Sequence, residues 1–405
     1  MYISRHMEKQ ILSATENFPV LLVTGARQVG KSTVLQYLAG AEREYVTLDD
    51  PLERQLAREQ PQRFLQLHQA PVLIDEIQYA AELFPYIKME VDRRQEDGLY
   101  WLTGSQVFAL MENVQEALAG RVMILRLQGI SQSEEIGIRH SPFPAKLEEM
   151  LALSKNPALQ SLCSGLNQRI LRGSFPRLLT HPDLKTTDFY SSYIQTWLER
   201  DVAAITNVMD TGAFLQFVRL LATRIGQELN KADLAKVIQV DAKTIGRWLN
   251  VLEASAMVYL LPAWSRNIGK RLIKRPKVYF LDSGLASYLI GIESEVQLAS
   301  SPLYGAIYEN WVVSEILKSQ WNDAKVPYIY YYRDVDQKEI DLLIENGERI
   351  VPIEIKSSMS PANAFKNFSV LEPLADKIDF GGVICHSDRF LPKDDKLWYI
   401  PDYLI

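Results

Sequence analysis

The fold turns on Val20-Leu-Leu-Val-Thr-Gly25-Ala-Arg-Gln-Val-Gly30-Lys-Ser-Thr33. Its first five residues are apolar or β-branched, which predicts a short strand buried on both faces, as in a parallel sheet. Gly25 to Ser32 fits G-x-x-x-x-G-K-[ST], and the apolar spacing from Thr33 to Leu38 predicts a helix directly behind it. Strand, glycine loop and helix in that order suit a polyphosphate, because backbone N–H groups converge at a helix N-terminus whose dipole favours negative charge. Gly25 and Gly30 permit the loop's backbone, with Ala26, Arg27, Gln28 and Val29 between them. Lys31 reaches the β- and γ-phosphates of ATP, the Ser32 hydroxyl ligates Mg²⁺, and Thr33 adds a weaker contact.

A second continuous apolar run, Pro71-Val-Leu-Ile-Asp75-Glu76, ends in two adjacent carboxylates. Ligands of open α/β sheets sit beyond the carboxyl ends of the strands, so Asp75 is expected beside the loop as a Mg²⁺ partner. Glu76 is then the natural general base for a water. Glu44 to Asp49 and Leu99 to Ser105 predict two more strands, and Ser105 at the end of the latter can sense the γ-phosphate. Leu118-Ala-Gly-Arg121 opens a fifth strand, Val122 to Leu127. Arg121 is a candidate for neutralising charge during hydrolysis, in cis or on a neighbouring subunit, with a solvated surface arginine as the alternative.

At 405 residues the chain exceeds one hydrophobic core. The reading divides it into an ATPase core at 1–130, a helical lid at 131–205, a winged helix at 206–297 and a nuclease-like unit at 298–405. With 47% hydrophobic and 23% charged residues it reads as an ordinary globular protein, not a disordered one. No apolar run approaches the length of a membrane span, so no membrane association and a cytoplasmic location are expected. Cys163 and Cys385 lack any C-x-x-C partner, which argues against a disulfide framework or zinc site. The net charge of −6 excludes wholesale wrapping of nucleic acid but not a local basic patch.

Such a patch occurs. Lys231 to Gln239 and Asp241 to Glu253 predict two amphipathic helices, tightly joined, whose Leu234, Ile238, Ile245, Trp248, Leu249 and Leu252 share a core. Strands from Met257 to Leu261 and from Lys277 to Leu281 flank a loop with Arg266, Lys270, Arg271, Lys274, Arg275 and, at its end, Lys277, and no acid falls between Glu253 and Asp282. This predicts a winged helix whose wing neutralises DNA phosphates, with Lys243 and Arg247 on the recognition helix; a packing or oligomerisation module is the alternative. Further on, Glu309 lies on a predicted amphipathic helix, followed by strands Glu339-Ile-Asp341-Leu-Leu-Ile344 and Val351-Pro-Ile-Glu354-Ile-Lys356. Strand alternation puts Glu339, Asp341 and Leu343 on one face, and Glu354 with Lys356 opposite Ile353 and Ile355.

Together, GARQVGKST, VTLDD, VLIDE, LTGS and LAGR resemble the AAA+-like ATPases of bacteria and archaea that carry a C-terminal DUF4143 domain, the AAA_14/DUF4143 combination. Gly173-Ser-Phe-Pro176, Leu198 to Asp201, Lys277 to Gly284, Tyr308-Glu309-Asn310 and Arg333 to Lys356 extend the resemblance over nearly the whole chain. It implies a sheet ordered 5-1-4-3-2 and a helical lid, with Arg177 or Arg200 as a second sensor or as structural ion pairs. Gly173-Ser stands where the family commonly has Gly-Gly. The order Glu, Asp, Glu-x-Lys resembles the PD-(D/E)xK nucleases, implying Mg²⁺ on Asp341 and Glu354, with Glu309 and Lys356 completing the site. The fold expected is therefore α/β, a P-loop parallel sheet followed by lid, winged helix and a restriction-endonuclease-like domain.

Three functions compete: an ATP-driven DNA-processing enzyme, a nucleotide-dependent switch or scaffold whose nuclease-like domain binds a partner without cutting, and a metabolite kinase. The kinase is disfavoured because Asp75-Glu76 is a water-activating pattern. A homo-oligomer is compatible with all three.

Overall fold

The computed structural model describes residues 2–105, 114, 117–199, 210–265, 267, 269, 271, 274–334, 336–359 and 361–405. Arg200, Arg266 and Lys270 lie outside the described residues.

Strands β1 (Val20–Thr24), β2 (Glu44–Thr47), β3 (Val72–Asp75), β4 (Tyr100–Gly104) and β5 (Val122–Arg126) form a parallel sheet in the order β2-β3-β4-β1-β5. The unbroken apolar run of β1 follows from burial on both faces. Leu21 and Val23 join one core with Ile11, Val34 and Leu125, while Val20 and Leu22 join another with Phe84, Ile74 and Leu102. Each such side chain contributes about 1.5–3 kcal/mol on leaving water, so a polar residue on either face would be destabilising.

The same register corrects one expectation. Val20 pairs with Val122, so Arg121 sits at the amino-terminal edge of the sheet, whereas the glycine loop leaves the carboxyl edge. There the Arg121 guanidinium pairs with Asp92 at 2.5 Å, and it is not beside the nucleotide edge of its own chain.

Between β5 and residue 199 the described elements are all helices, from Gln132–Glu135 to Thr186–Trp197, joined by loops. Helices Lys231–Ile238 and Ala242–Ala254 follow, capped by Asn230 and Asp241 and joined through Gln239 at a φ of 63°. Trp248 packs edge-on against Phe214 and tilted against Phe217. Strands β6 (Val258–Leu261) and β7 (Lys277–Phe280) then pair antiparallel. Here the charge run misled. Lys277 is only 2% exposed and turned inward, so it is no part of a solvent-facing patch. Arg271 is held by Glu345 at 2.7 and 3.0 Å and lies over the Tyr330 ring, since a guanidinium fork matches a carboxylate better than it matches water.

Among the described residues the C-terminal unit has six strands, β8 (Ile329–Arg333), β9 (Glu339–Asn346), β10 (Arg349–Lys356), β11 (Gly381–Cys385), β12 (Leu391–Pro392) and β13 (Leu397–Pro401), ordered β12-β13-β11-β10-β9-β8. The Tyr304–Asn322 helix is buried around most of its girth between this sheet, β7 and β5, and not along one face alone as the amphipathic helix expected at Tyr308 to Lys318 would be. Strand alternation also fails in β9. Tyr330 pairs with Leu343 but Tyr332 with Ile340, so Asp341 and Leu342 together face Tyr331 in a bulge. Ile340 and Leu343 therefore enter one core and Leu342 and Ile344 another, and Leu343 does not follow the face of Asp341 as regular alternation required.

Candidate functional sites

The glycine loop is shaped by close approach. Gly25 has a φ of 147°, and a Cβ there would lie 2.0 Å from the Leu127 carbonyl oxygen, so any larger residue must displace the backbone just beyond β5. Gly30, at a φ of 94°, turns the chain into the Lys31–Ala39 helix. The Lys31 ammonium is folded into the loop and donates to the carbonyls of Gly25 at 3.1 Å and Ala26 at 2.8 Å. A phosphate entering the loop offers the same ammonium stronger, charged acceptors. Ala26 and Val29 are buried, Arg27 and Ser32 half-buried, Gln28 and Thr33 exposed.

Asp75 is the centre of this site. Its Oδ1 accepts from Ser32 Oγ at 2.7 Å and from Thr103 Oγ1, and its Oδ2 accepts from the Tyr45 hydroxyl at 3.0 Å. Burial and the Asp75 charge push the Tyr45 phenol up to about 12, so it remains a donor. Glu76 follows in the left-handed region at a φ of 57°, a conformation that stores about 1 kcal/mol or more in a non-glycine residue and is most often found at working sites. Its N–H donates to Thr103 Oγ1 at 3.1 Å, and its Oε2 accepts from Gln78 Nε2. Ser105 Oγ reaches the same oxygen only at 3.5 Å. The sequence thus brought Lys31, Ser32, Asp75 and Glu76 together and missed Tyr45, Thr103 and Gln78. The signal for Thr103 was its place at the carboxyl end of β4, next to β3 in the sheet.

Two braces hold the loop from behind. Arg5, almost fully buried, donates to the carbonyls of Val29 at 3.0 Å and Gln128 at 2.7 Å and pairs with Glu134 at 3.2 Å. Beside it lies Pro176: a Cβ on Gly30 would be 3.8 Å from Pro176 Cγ and 3.9 Å from Arg5 Nη1. The segment before it is fixed by Asp282, whose carboxylate accepts from Ser174 N and Ser174 Oγ, both at 2.7 Å, from Tyr190 OH at 2.6 Å and from Leu285 N at 2.7 Å. Gly173-Ser-Phe-Pro176 and Asp282-Ser-Gly284, two motifs without an assigned task in the sequence, are therefore halves of one joint. Arg177 beyond it is exposed.

The second cluster lies where β7 meets the C-terminal sheet. Asn310 docks on β7 like a neighbouring strand, accepting from Phe280 N at 2.6 Å and donating to Phe280 O at 3.0 Å. This sets Glu309 against β7, where Tyr279 OH donates to it and the Lys277 ammonium lies at 4.0 Å. Lys277 also pairs with Glu339, whose other oxygen meets Arg333 at 2.5 Å, and Arg333 reaches Glu228 at 3.1 Å. Asp341 Oδ2 accepts from Ile355 N at 2.8 Å and lies 3.5 Å from Lys356 Nζ, which donates to Glu354 Oε2 at 2.7 Å. Glu354 is 2% exposed, and its Oε1 has no partner.

Burial, then the Asp341 charge, push Glu354 up to about 8, and the same two causes push Glu309 up to about 7. Lys356, although desolvated, is raised by Asp341 and Glu354. Burial and the Asp341 charge favour a proton on Glu354, and the Lys356 ammonium at 2.7 Å opposes it without outweighing them. Among the described residues no three of His, Cys, Asp and Glu are grouped as a metal set.

Of the remaining cations named for DNA, Lys243, Arg247, Lys274 and Arg275 are exposed. Lys274 and Arg275 rim a cleft of about 700 Å³ with Tyr331, Tyr332 and Arg333 on its wall. No described helix is long and apolar enough to cross a membrane.

Residues 17–136 match the family described as an AAA domain, residues 164–296 a domain of unknown function, DUF8612, and residues 304–403 another, DUF4143. An uncharacterised protein of Mycobacterium tuberculosis is 29% identical over 361 residues, spanning 88% of this chain and 75% of its own length. An uncharacterised protein of Haemophilus influenzae is 21% identical over 386 residues, spanning 90% of this chain and 88% of its own. Among solved structures, a Walker-type ATPase of Pyrococcus abyssi covers 71% of this chain and 96% of its own at 14% identity, with a TM-score of 0.42.

Proposed function

The chain belongs to the P-loop ATPases that join an AAA domain to a DUF4143 domain, and from that premise we propose that it hydrolyses ATP with Mg²⁺ and acts on DNA through its C-terminal half. The observation that carries the ATPase reading is the placement of Glu76, strained and aimed by Gln78, next to an Asp75 already bonded to Ser32. An oxygen-only pair, the Ser32 hydroxyl and the Asp75 carboxylate, fits Mg²⁺, which supplies charge neutralisation to the β- and γ-phosphates when bound.

Lys31 exchanges its two carbonyl partners for phosphate oxygens. Glu76 takes a proton from the attacking water as the water oxygen bonds to the γ-phosphorus, and the bridging oxygen leaves with ADP and the electron pair of the broken bond. Thr103 bonds to Asp75 and to the backbone of Glu76, so it keeps the two acids in register.

Helices Lys231–Ile238 and Ala242–Ala254 with β6 and β7 read as a winged helix, with Lys243 and Arg247 on its second helix and Lys274 and Arg275 on the connection between the strands. Asp341, Glu354 and Lys356 read as a PD-(D/E)xK-like site. The unpartnered Glu354 Oε1, buried beside Asp341, fits a divalent cation there.

A second reading, a nucleotide-driven switch whose nuclease-like unit does not cut, is favoured by the lack of a three-ligand metal set among the described residues. Phosphate release with and without duplex or single-stranded DNA, run beside a gel of the DNA, separates the two. DNA-stimulated hydrolysis with cleavage lost in Glu354→Ala supports the first, and hydrolysis with intact DNA supports the second.

A further inference from the structure

The C-terminal cluster holds more charge than the Asp341, Glu354 and Lys356 of the sequence pattern. Five carboxylates, Glu228, Glu309, Glu339, Asp341 and Glu354, are linked to three cations, Lys277, Arg333 and Lys356. Two of those acids differ sharply in how they are satisfied. Glu339 gives one oxygen to Lys277 and the other to Arg333. Glu354 gives one oxygen to Lys356 and leaves the other buried without a partner, a state that is strongly unfavourable unless a proton or cation completes it.

Lys277 is not free to leave. Its strand pairs with Leu261 on one side and bridges to Glu228 on the other, and its ammonium lies 5.4 Å from the centre of the Tyr331 ring. Burial lowers its affinity for a proton, but Glu309, Glu339 and Asp341 outweigh that and raise it, so the ammonium stays charged. It therefore acts as a fixed monovalent counter-ion, delivered by β7 into a site otherwise built by the C-terminal sheet and the Tyr304–Asn322 helix.

We propose that the Lys277 ammonium permanently occupies the place of a second divalent cation, between Glu309 and Glu339, so that this cluster binds a single Mg²⁺-class ion at Asp341 and Glu354. This rests on the metal reading of Asp341 and Glu354 given above and adds to it a stoichiometry and a role for a residue outside the Glu-Asp-Glu-x-Lys pattern.

Mn²⁺ bound to the nucleotide-free full chain, counted by electron paramagnetic resonance, tests this without any catalytic assay. In the wild-type background Glu354→Gln should remove one ion and Glu309→Gln none. Lys277→Met should gain one ion that a further Glu309→Gln removes, whereas Lys277→Arg should keep the wild-type count. Loss of an ion from the wild-type background by Glu309→Gln, or a folded Lys277→Met with an unchanged count, overturns the proposal. Should Lys277→Met fail to fold, the wild-type Glu309→Gln comparison still decides. A wild-type count that Glu354→Gln leaves unchanged sinks the underlying metal reading instead, so the two failures are told apart.

Discussion

Replacing Asp282 by alanine should loosen the segment that backs the glycine loop. The carboxylate accepts four hydrogen bonds and is 7% exposed, so little water can take its place. The Ser174 and Tyr190 hydroxyls can turn to other acceptors. The N–H groups of Ser174 and Leu285 cannot, and each stranded buried donor costs about 1–3 kcal/mol, giving about 4 kcal/mol together. Asp282→Asn keeps one acceptor oxygen but sets an NH₂ against one of those two N–H groups, for about 2 kcal/mol. Tyr190→Phe removes a donor only, about 1–2 kcal/mol. Hydrogen exchange reads the segment directly. At about 1.4 kcal/mol per tenfold, amides of residues 173–178 should lose about a thousandfold protection in Asp282→Ala and about thirtyfold in Asp282→Asn. A loss under tenfold in the alanine variant would refute the idea that this carboxylate holds the joint.

Lys31→Ala should abolish ATP binding, while Glu76→Gln should bind ATP and slow hydrolysis by about 10²–10⁴-fold; normal turnover in Glu76→Gln removes the base assignment. The raised Glu354 makes stability depend on pH. Its folded state holds a proton more tightly than the unfolded chain, so that contribution is complete below about pH 4.5 and disappears as pH rises through about 8. Glu354→Gln should therefore gain stability relative to wild type between pH 5 and 8 in urea melts, and parallel pH profiles would contradict the shift. Lys274→Glu with Arg275→Glu should weaken DNA binding and flatten its log–log salt slope by about 0.9 per lost phosphate contact; an unchanged slope removes both from the interface.

The nucleotide site was legible because its information is local. One strand, one loop and one helix start lie within fourteen consecutive residues, and two carboxylates follow directly on a second buried strand. For Arg121 the sequence already argued against action within its own chain, because it precedes its strand whereas the phosphate loop of a parallel sheet follows one; the readings on a neighbouring subunit or as a surface arginine stay open. Lys277 was not recoverable in the same way. Its partners Glu309 and Glu339 are 32 and 62 residues downstream, and a lysine at the end of a basic run has the same pattern whether it faces solvent or a buried acid. The bulge at Asp341 and Leu342 exists only relative to Tyr331 on the paired strand, so alternation within β9 could not reveal it. Arg5, alone near the chain start, offered no motif; only its three-dimensional carbonyl partners identify it as a support.

The edges of the C-terminal sheet bear on how copies of this chain can associate. An open strand edge is a template for another chain. Here β8 is covered by the chain's own middle segment, with Trp264 N donating to Tyr331 O at 2.6 Å and Tyr331 N to Pro262 O at 3.1 Å. The opposite edge is β12, two residues long and ending in a proline. Strand addition to this sheet is thus blocked on both sides, and association of copies through the C-terminal unit has to use helical faces or side-chain contacts. A fragment beginning at residue 298 would lack the 262–264 cover and expose the tyrosine-rich β8, so it should aggregate where the whole chain does not.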